Sequence, residues 1–262
     1  MTVPAPAERL SLLARELGRM DREWAILAEG NCSLLTENLE VHVKASGAEM
    51  ANATQADFVS VPHAELLALI DDPTAGDDEV REVFDAVQAR SAGRRPSVEA
   101  LLHAVCLDLP GVAVVGHTHP IPVNAILCSS TPDLLTRGAL FPDQIVVLGT
   151  SPLLVPYVDP GLRLAQEVRR MLRDRETGVP RVIYLQNHGM FALGRHEAEV
   201  LQITEMAVKV ARVLIGAASI GGPSFMEHAE VARIDTRPDE LIRRAVLTQS
   251  VGSATTARPS SS

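Results

Sequence analysis

Val112-Ala113-Val114-Val115-Gly116-His117-Thr118-His119-Pro120 is an apolar, β-branched run that ends in two histidines one residue apart. Read as a strand, its side chains alternate between faces, so His117 and His119 point the same way and can share one ion. The residues before the pair offer the imidazoles no hydrogen-bond partner, and an imidazole at the end of a buried strand needs a partner or a ligand. Taken alone, the His-x-His pair fits two ordinary strand-end histidines as well as half of a metal site. A third imidazole shifts that balance. It is His188, in Val182-Ile183-Tyr184-Leu185-Gln186-Asn187-His188-Gly189-Met190, another β-rich segment that ends in a polar turn. Three neutral imidazoles suit a borderline divalent cation, Zn²⁺ first, with Mn²⁺ or Co²⁺ as further fits, and a catalytic ion keeps a position open for water or substrate. Of the eight histidines, the other five, His42, His63, His103, His196 and His228, fall in helical or exposed-looking contexts and read as surface or capping residues.

Working outward, apolar residues at Leu10, Leu12, Leu13, Leu17 and Met20 recur at helical spacing and predict an opening amphipathic helix from Ala7. Leu34-Leu35-Thr36 and Leu39 to Lys44, joined by a turn at Glu37-Asn38, read as a hairpin that ends in Ala45-Ser46-Gly47. Gly30-Asn31 and Ser46-Gly47 are turns whose backbone N–H groups can approach an anion. Asp57 to Val61 reads as a strand, Pro62 opens a helix through Ile70, and a further helix runs from about Asp78 to Arg90. Ser97 is placed to cap a helix over Ala100 to Leu107, with Glu99 as a first-turn carboxylate that complements the helix dipole. Beyond the histidine strand, a helix is expected over Pro120 to Cys128, strands over Gln144 to Leu148 and Leu153 to Val155, and a helix over Gly161 to Arg173. Strands at Val182 to Leu185 and Met190 to Leu193 flank His188, and a long amphipathic helix covers His196 to Ala217. The polar stretch Ala232 to Glu240 is expected to cap a helix over Leu241 to Val251, and Gly252 to Ser262 reads as a disordered tail after a single domain over residues 1–251.

With 262 residues the chain is long enough for one large domain. Only 3% of residues are aromatic against 46% hydrophobic, so the core must be built from Ala, Val and Leu. The formal charge of -9 and the lack of a basic run argue against nucleic acid or an anionic membrane surface as partner. Cys32, Cys106 and Cys128 are odd in number and widely spaced, which fits reduced thiols, and Cys106 reads as core. The start, Met1 to Pro6, lacks the pattern of a signal peptide and no run reaches membrane-spanning length, so the expected compartment is the cytoplasm.

Gly30-Asn31-x-Ser33, Ala45-Ser46-Gly47, Ser97-x-Glu99 with His103 on the following helix, His117-Thr118-His119 and Asn187-His188-Gly189 occur in an order that resembles the class II aldolase and adducin family. That family includes the L-fuculose-phosphate and L-rhamnulose-phosphate aldolases. The resemblance spans about Ala7 to Ala217. It implies an α/β fold, three layers with a central, mainly antiparallel sheet between helices, and a homotetramer with active sites at subunit interfaces. By position, His117, His119 and His188 then resemble the zinc ligands and Glu99 the catalytic acid/base, displacing the dipole-only reading. Asn31, Ser46, Gly47 and Ser97 resemble the residues that hold the substrate.

The activity implied is retro-aldol cleavage of a sugar or sugar phosphate through a metal-stabilised enediolate, with Glu99 moving the proton. Two departures bear on the substrate. Val98 stands where family members that bind a phosphate present a hydroxyl, which admits a non-phosphorylated or carboxylate-bearing sugar acid. No tyrosine lies between Arg137 and Asp143, where the family's fuculose-phosphate enzyme supplies one to the leaving aldehyde; Tyr157 and Tyr184 are the only tyrosines. Relatives of this resemblance also epimerise, dehydrate and decarboxylate, and adducin-like members keep the fold without catalysis. The epimerases tend to carry Asp at the place of Glu99, which tilts the reading towards bond cleavage.

Overall fold

The computed structural model describes residues 4–240 and 242. Seven strands form one sheet: β1 (Asn31–Leu35), β2 (Glu40–Lys44), β3 (Phe58–Pro62), β4 (Val114–Thr118), β5 (Leu153–Val155), β6 (Val182–Leu185) and β7 (Gly189–Gly194). Their order is β3-β2-β1-β4-β7-β6-β5. Every pairing is antiparallel except β5 with β6, so the expected α/β architecture with a mainly antiparallel sheet is the one observed.

β4 is the middle strand, and all five of its residues are buried. That explains its continuous apolar run: a strand covered on both faces has no solvent side to mark with polar residues. Helices cover both faces. Val114, Tyr184, Met190 and Ala192 pack with α1 (Pro6–Leu17), α5 (Ile121–Leu127) and α8 (Glu197–Ala218). Their strand neighbours Val115, Ile183, Leu185 and Phe191 pack on the other face with α2 (His63–Asp71), α3 (Asp77–Arg90), α4 (Ala100–Leu107) and α7 (Leu162–Arg173). The period-two alternation thus sorts one strand's side chains into two cores, giving an α/β/α sandwich.

α8 approaches the sheet unusually closely at Gly116, where a built Cβ would lie 2.5 Å from Val200 Cγ1. Glycine is therefore required one residue before His117, because any side chain would lift the helix off β4. Among the described residues no helix is long and apolar enough to cross a membrane.

Two expectations are corrected. Gln144 to Leu148 is not a strand but the body of α6 (Pro142–Leu148), which buries Gln144, Ile145, Val146 and Leu148. A short apolar run cannot be assigned by periodicity when most of its sides are buried; Pro142 in the first turn and Gly149 at φ 73° just past the end were the better signals. Nor is Ala232 to Glu240 simply a polar cap. Its first part belongs to α9 (His228–Thr236), whose Ile234 packs with Ala139 and Ile145. The expected helix Leu241 to Val251 and the tail from Gly252 fall, apart from Ile242, outside the described residues.

Candidate metal centre

Register brings the imidazoles together. Asn31 of β1 pairs with His117 of β4, and Thr118 of β4 pairs with Met190 of β7, so the Gln186-Asn187-His188 turn before β7 arrives beside the end of β4. Asn187 sits in the left-handed region at φ 56°, which asparagine tolerates better than most residues. Gly189 follows because a Cβ there would lie 2.6 Å from His119 Cδ2 and 2.7 Å from the Thr118 carbonyl oxygen. His117 is fully buried and stacks on Phe191, with ring centroids 4.2 Å apart. His119 lies just past β4, tied by its own N–H to the Trp24 carbonyl at 2.7 Å.

The ring centroids of His117, His119 and His188 lie 4.6, 5.0 and 5.2 Å apart, and one nitrogen from each falls within 4.8 Å of the others. Protons decide what this cluster can hold. His117 Nδ1 lies 3.0 Å from the Met190 carbonyl oxygen, an acceptor only, so Nδ1 carries the proton. His119 Nδ1 lies 3.2 Å from Glu29 Oε2 and is protonated for the same reason. The remaining nitrogens, Nε2 of His117 and Nε2 of His119, face each other at 2.9 Å with a lone pair each. Glu99 Oε1 adds negative charge at 3.0 Å from His117 Nε2 and 2.9 Å from His188 Nε2. Converging lone pairs beside a buried carboxylate repel unless a cation lies among them, and three imidazoles, two of them with Nδ1 protons fixed by Met190 and Glu29, make the donor set of a zinc-type site.

Glu99 also calls for positive charge at this spot: burial pushes its carboxyl up, and positive charge on the His117 and His188 side outweighs burial and holds the group well below the usual carboxylate range. Burial, then its neighbours His117 and His188, push His119 down to about 3, so it is neutral.

Glu99 does not cap its helix. It is the N-cap residue of α4, yet its side chain makes no capping bond and turns into the cluster. Ser97, expected as the N-cap, lies two residues before it, and its hydroxyl accepts the Glu99 N–H at 3.4 Å. Asn31 Nδ2 donates to Glu99 Oε2 at 2.7 Å and to Ser97 Oγ at 3.2 Å, so three of the residues singled out in the sequence meet directly. Ser46 and Gly47 are exposed and reach this group only through backbone: Ala45 bridges to Pro96, and Ser46 N–H donates to the Arg95 carbonyl at 2.9 Å. Val98 is 52% exposed and so does little to bury Glu99.

Several residues here were missed or misread. Glu29, which orients His119, carries no sequence signal. Lys44 is buried beneath the Ser46-Gly47 turn, where its ammonium donates to the Ala45 and Ala48 carbonyls and burial lowers its pKa. His103 and His63 are core residues rather than surface ones: His103 is bonded to Ser33 and Asn31, and His63 Nε2 lies 2.9 Å from the Ala104 carbonyl oxygen. His196 does cap α8, accepting the Glu199 N–H. On the outer side of His119 opens a cleft of about 420 Å³ lined by Glu23, Ile26, Glu29, Ile121 and Cys128.

Residues 8–215 match the family described as Class II Aldolase and Adducin N-terminal domain, and the chain belongs to that family. An L-fuculose 1-phosphate aldolase superposes with a TM-score of 0.65 at 17% identity, covering 90% of this chain and 96% of that one. YgbL from Klebsiella pneumoniae, a candidate aldolase/epimerase/decarboxylase, gives 0.66 at 21% identity over 87% of this chain and 97% of its own. The N-terminal class II aldolase domain of a conserved protein from Thermoplasma acidophilum gives 0.63 at 24%, over 82% and 96%. At these identities the likeness is one of fold. The uncharacterized oxidoreductase YuxG of Bacillus subtilis (strain 168) is 25% identical over 221 residues, 81% of this chain but only 30% of YuxG, so the chain spans under a third of that relative.

Proposed function

We propose that the protein is a metal-dependent aldehyde-lyase that cleaves a sugar or sugar phosphate by a retro-aldol reaction. The observation that carries this reading is the pair of Nε2 lone pairs of His117 and His119 facing each other at 2.9 Å, both Nδ1 protons being committed elsewhere. His117, His119 and His188 would hold a divalent ion, zinc best fitting the nitrogen donors. When bound, that ion supplies Lewis acidity, which lowers the penalty of negative charge on the substrate's oxygens.

The rest is done by the chain. Among the described residues Glu99 is the carboxylate that touches two of the three imidazoles, and its low pKa keeps it ionised and able to accept a proton. During cleavage Glu99 would accept the proton of the hydroxyl whose carbon leaves as the aldehyde, the electron pair of the breaking carbon–carbon bond stays on the carbon next to the carbonyl, and Glu99 would return the proton there to give the ketone. Asn31 holds the second Glu99 oxygen. Ser97, Ser46 and Gly47 lie along one backbone edge next to it and would receive the far end of the substrate, phosphate or carboxylate. The assembly proposed is a homotetramer in the cytoplasm.

Decarboxylation of an oxo acid is the second reading. It needs no further group to handle the hydroxyl proton of a leaving aldehyde, and Tyr184, fully buried in the core, is not one. The test is a screen of zinc-, manganese- and cobalt-loaded protein against free and phosphorylated ketoses and oxo acids, with products identified. An aldehyde and a ketone in equal amounts support the aldolase; carbon dioxide or an epimer replaces it. Protein that binds no divalent ion at all removes both.

A further inference from the structure

Behind Glu99 lies a hydrogen-bond chain that its proposed role does not use. Ser33 Oγ and His103 Nδ1 are 2.6 Å apart, His103 Nε2 is bonded to Asn31 Oδ1, and Asn31 Nδ2 donates to Glu99 Oε2 at 2.7 Å and to Ser97 Oγ at 3.2 Å. Ser33 and His103 are fully buried and Asn31 nearly so. The direction of every bond follows from chemistry. Glu99 Oε2 only accepts, so the NH₂ end of the Asn31 amide must face it, and Oδ1 must face His103. Oδ1 only accepts, so His103 carries its proton on Nε2. His103 Nδ1 is then an acceptor, and the Ser33 hydroxyl donates to it.

We propose that His103 is a positioning residue that acts through Asn31 to aim the Glu99 carboxylate at the three imidazoles. An amide side chain can turn end for end at little strain, and in the reversed orientation its carbonyl would face the carboxylate, oxygen against oxygen. The His103 Nε2–H forbids that reversal. Both Nδ2 protons of Asn31 are engaged, one by Glu99 and one by Ser97, so the amide ties the carboxylate to the start of α4. Burial, with His117 adding to it, pushes His103 down to about 3, so the ring is neutral and offers one donor and one acceptor, as the chain requires.

The inference rests on the proposed role of Glu99 for its kinetic consequence, so the experiment includes a readout independent of turnover. In the zinc-loaded full-length protein the Asn31 side-chain amide protons, assigned by their loss in Asn31→Asp, should be protected from solvent exchange. His103→Leu should lose that protection, and His103→Gln, which restores an N–H at similar reach, should recover it. In kinetics His103→Leu should lower kcat about 10–100-fold, with KM and zinc content held, and His103→Gln should regain most of it. Ser33→Ala serves as the milder variant if His103→Leu does not fold, with a smaller loss in the same direction. An unprotected Asn31 amide in the wild type overturns the inference, and so does a folded His103→Leu that keeps the protection. So does a fall in kcat that merely tracks lost zinc. A protected amide in a protein that turns over no substrate leaves the positioning intact and rejects the aldolase reading instead.

Discussion

Two clusters of charged and titratable groups in this molecule have similar size and opposite physics. On the surface, Arg169 holds Asp71 with two bonds, 2.9 and 2.8 Å, and Asp108 with one of 2.6 Å, while Arg173 adds a second cation at 2.9 Å from Asp71. Each charge there already has its opposite, and water screens the sum, so the network joins the ends of α2 and α4 to α7 for little net energy. At the strand ends, Glu99, His117, His119 and His188 are mostly buried, and acceptors face acceptors. The surface cluster is complete as it stands. The buried one is a socket, since its groups are stable together only when something positive binds them.

The strongest way to break this contrast is His117→Ala, which should lose bound metal and turnover together; full occupancy by metal analysis in that variant would remove the residue from the donor set. Next is Glu99→Gln. It should keep the ion and the assembly while kcat falls about 10²–10⁴-fold, and a variant with unchanged turnover would take Glu99 out of the chemistry. Glu29→Gln tests whether the proton on His119 Nδ1 is set by a carboxylate. Metal affinity, read by competition with a chelator, should weaken about 10–100-fold, and equal affinity would leave that contact without a role.

Acid separates the two clusters further. Because burial depresses His103 from 6.5 to about 3, the unfolded chain takes up a proton there before the folded one does. The resulting stability is fully present above pH 6.5 and is lost as pH falls towards 3. Denaturant titrations of metal-stripped protein should show a shallower acid slope for His103→Gln than for wild type; parallel slopes would mean that His103 does not feel its burial. The smallest effect belongs to the surface. Hydrogen bonding to Arg169 holds Asp71 below 3.8, so its contribution is present above that pH and lost below it. At neutral pH Asp71→Asn should destabilise by about 0.5 kcal/mol, the difference vanishing in strong acid. A loss of several kcal/mol would show that the network is worth far more than exposed pairs are.

The elements most legible from sequence were those whose burial has a period: α1, α7 and α8 as amphipathic helices, and the strands that end in histidines. α6 was not, because its β-branched residues are buried on nearly every side, and only its Pro142 and Gly149 distinguish it from a strand. The histidine triad is readable because two of its members share a strand face. Glu29 and the link from Asn31 to His103 are not, since they depend on which loops and helices end beside β1 and β4. His103 illustrates the limit well. A histidine within an apolar helix reads as a surface residue until the Ser33 and Asn31 side chains that satisfy it are known.

Gly116 leaves Val200 of α8 resting on the backbone of β4, one residue from His117. The 22-residue helix α8 is therefore the bench on which the innermost imidazole is levelled. Small changes of volume at Val200, remote from every reacting atom, should be transmitted to the placement of His117 with little slack. Directed evolution of this protein would thus find settings for the ion's affinity in the packing of a helix that never touches it.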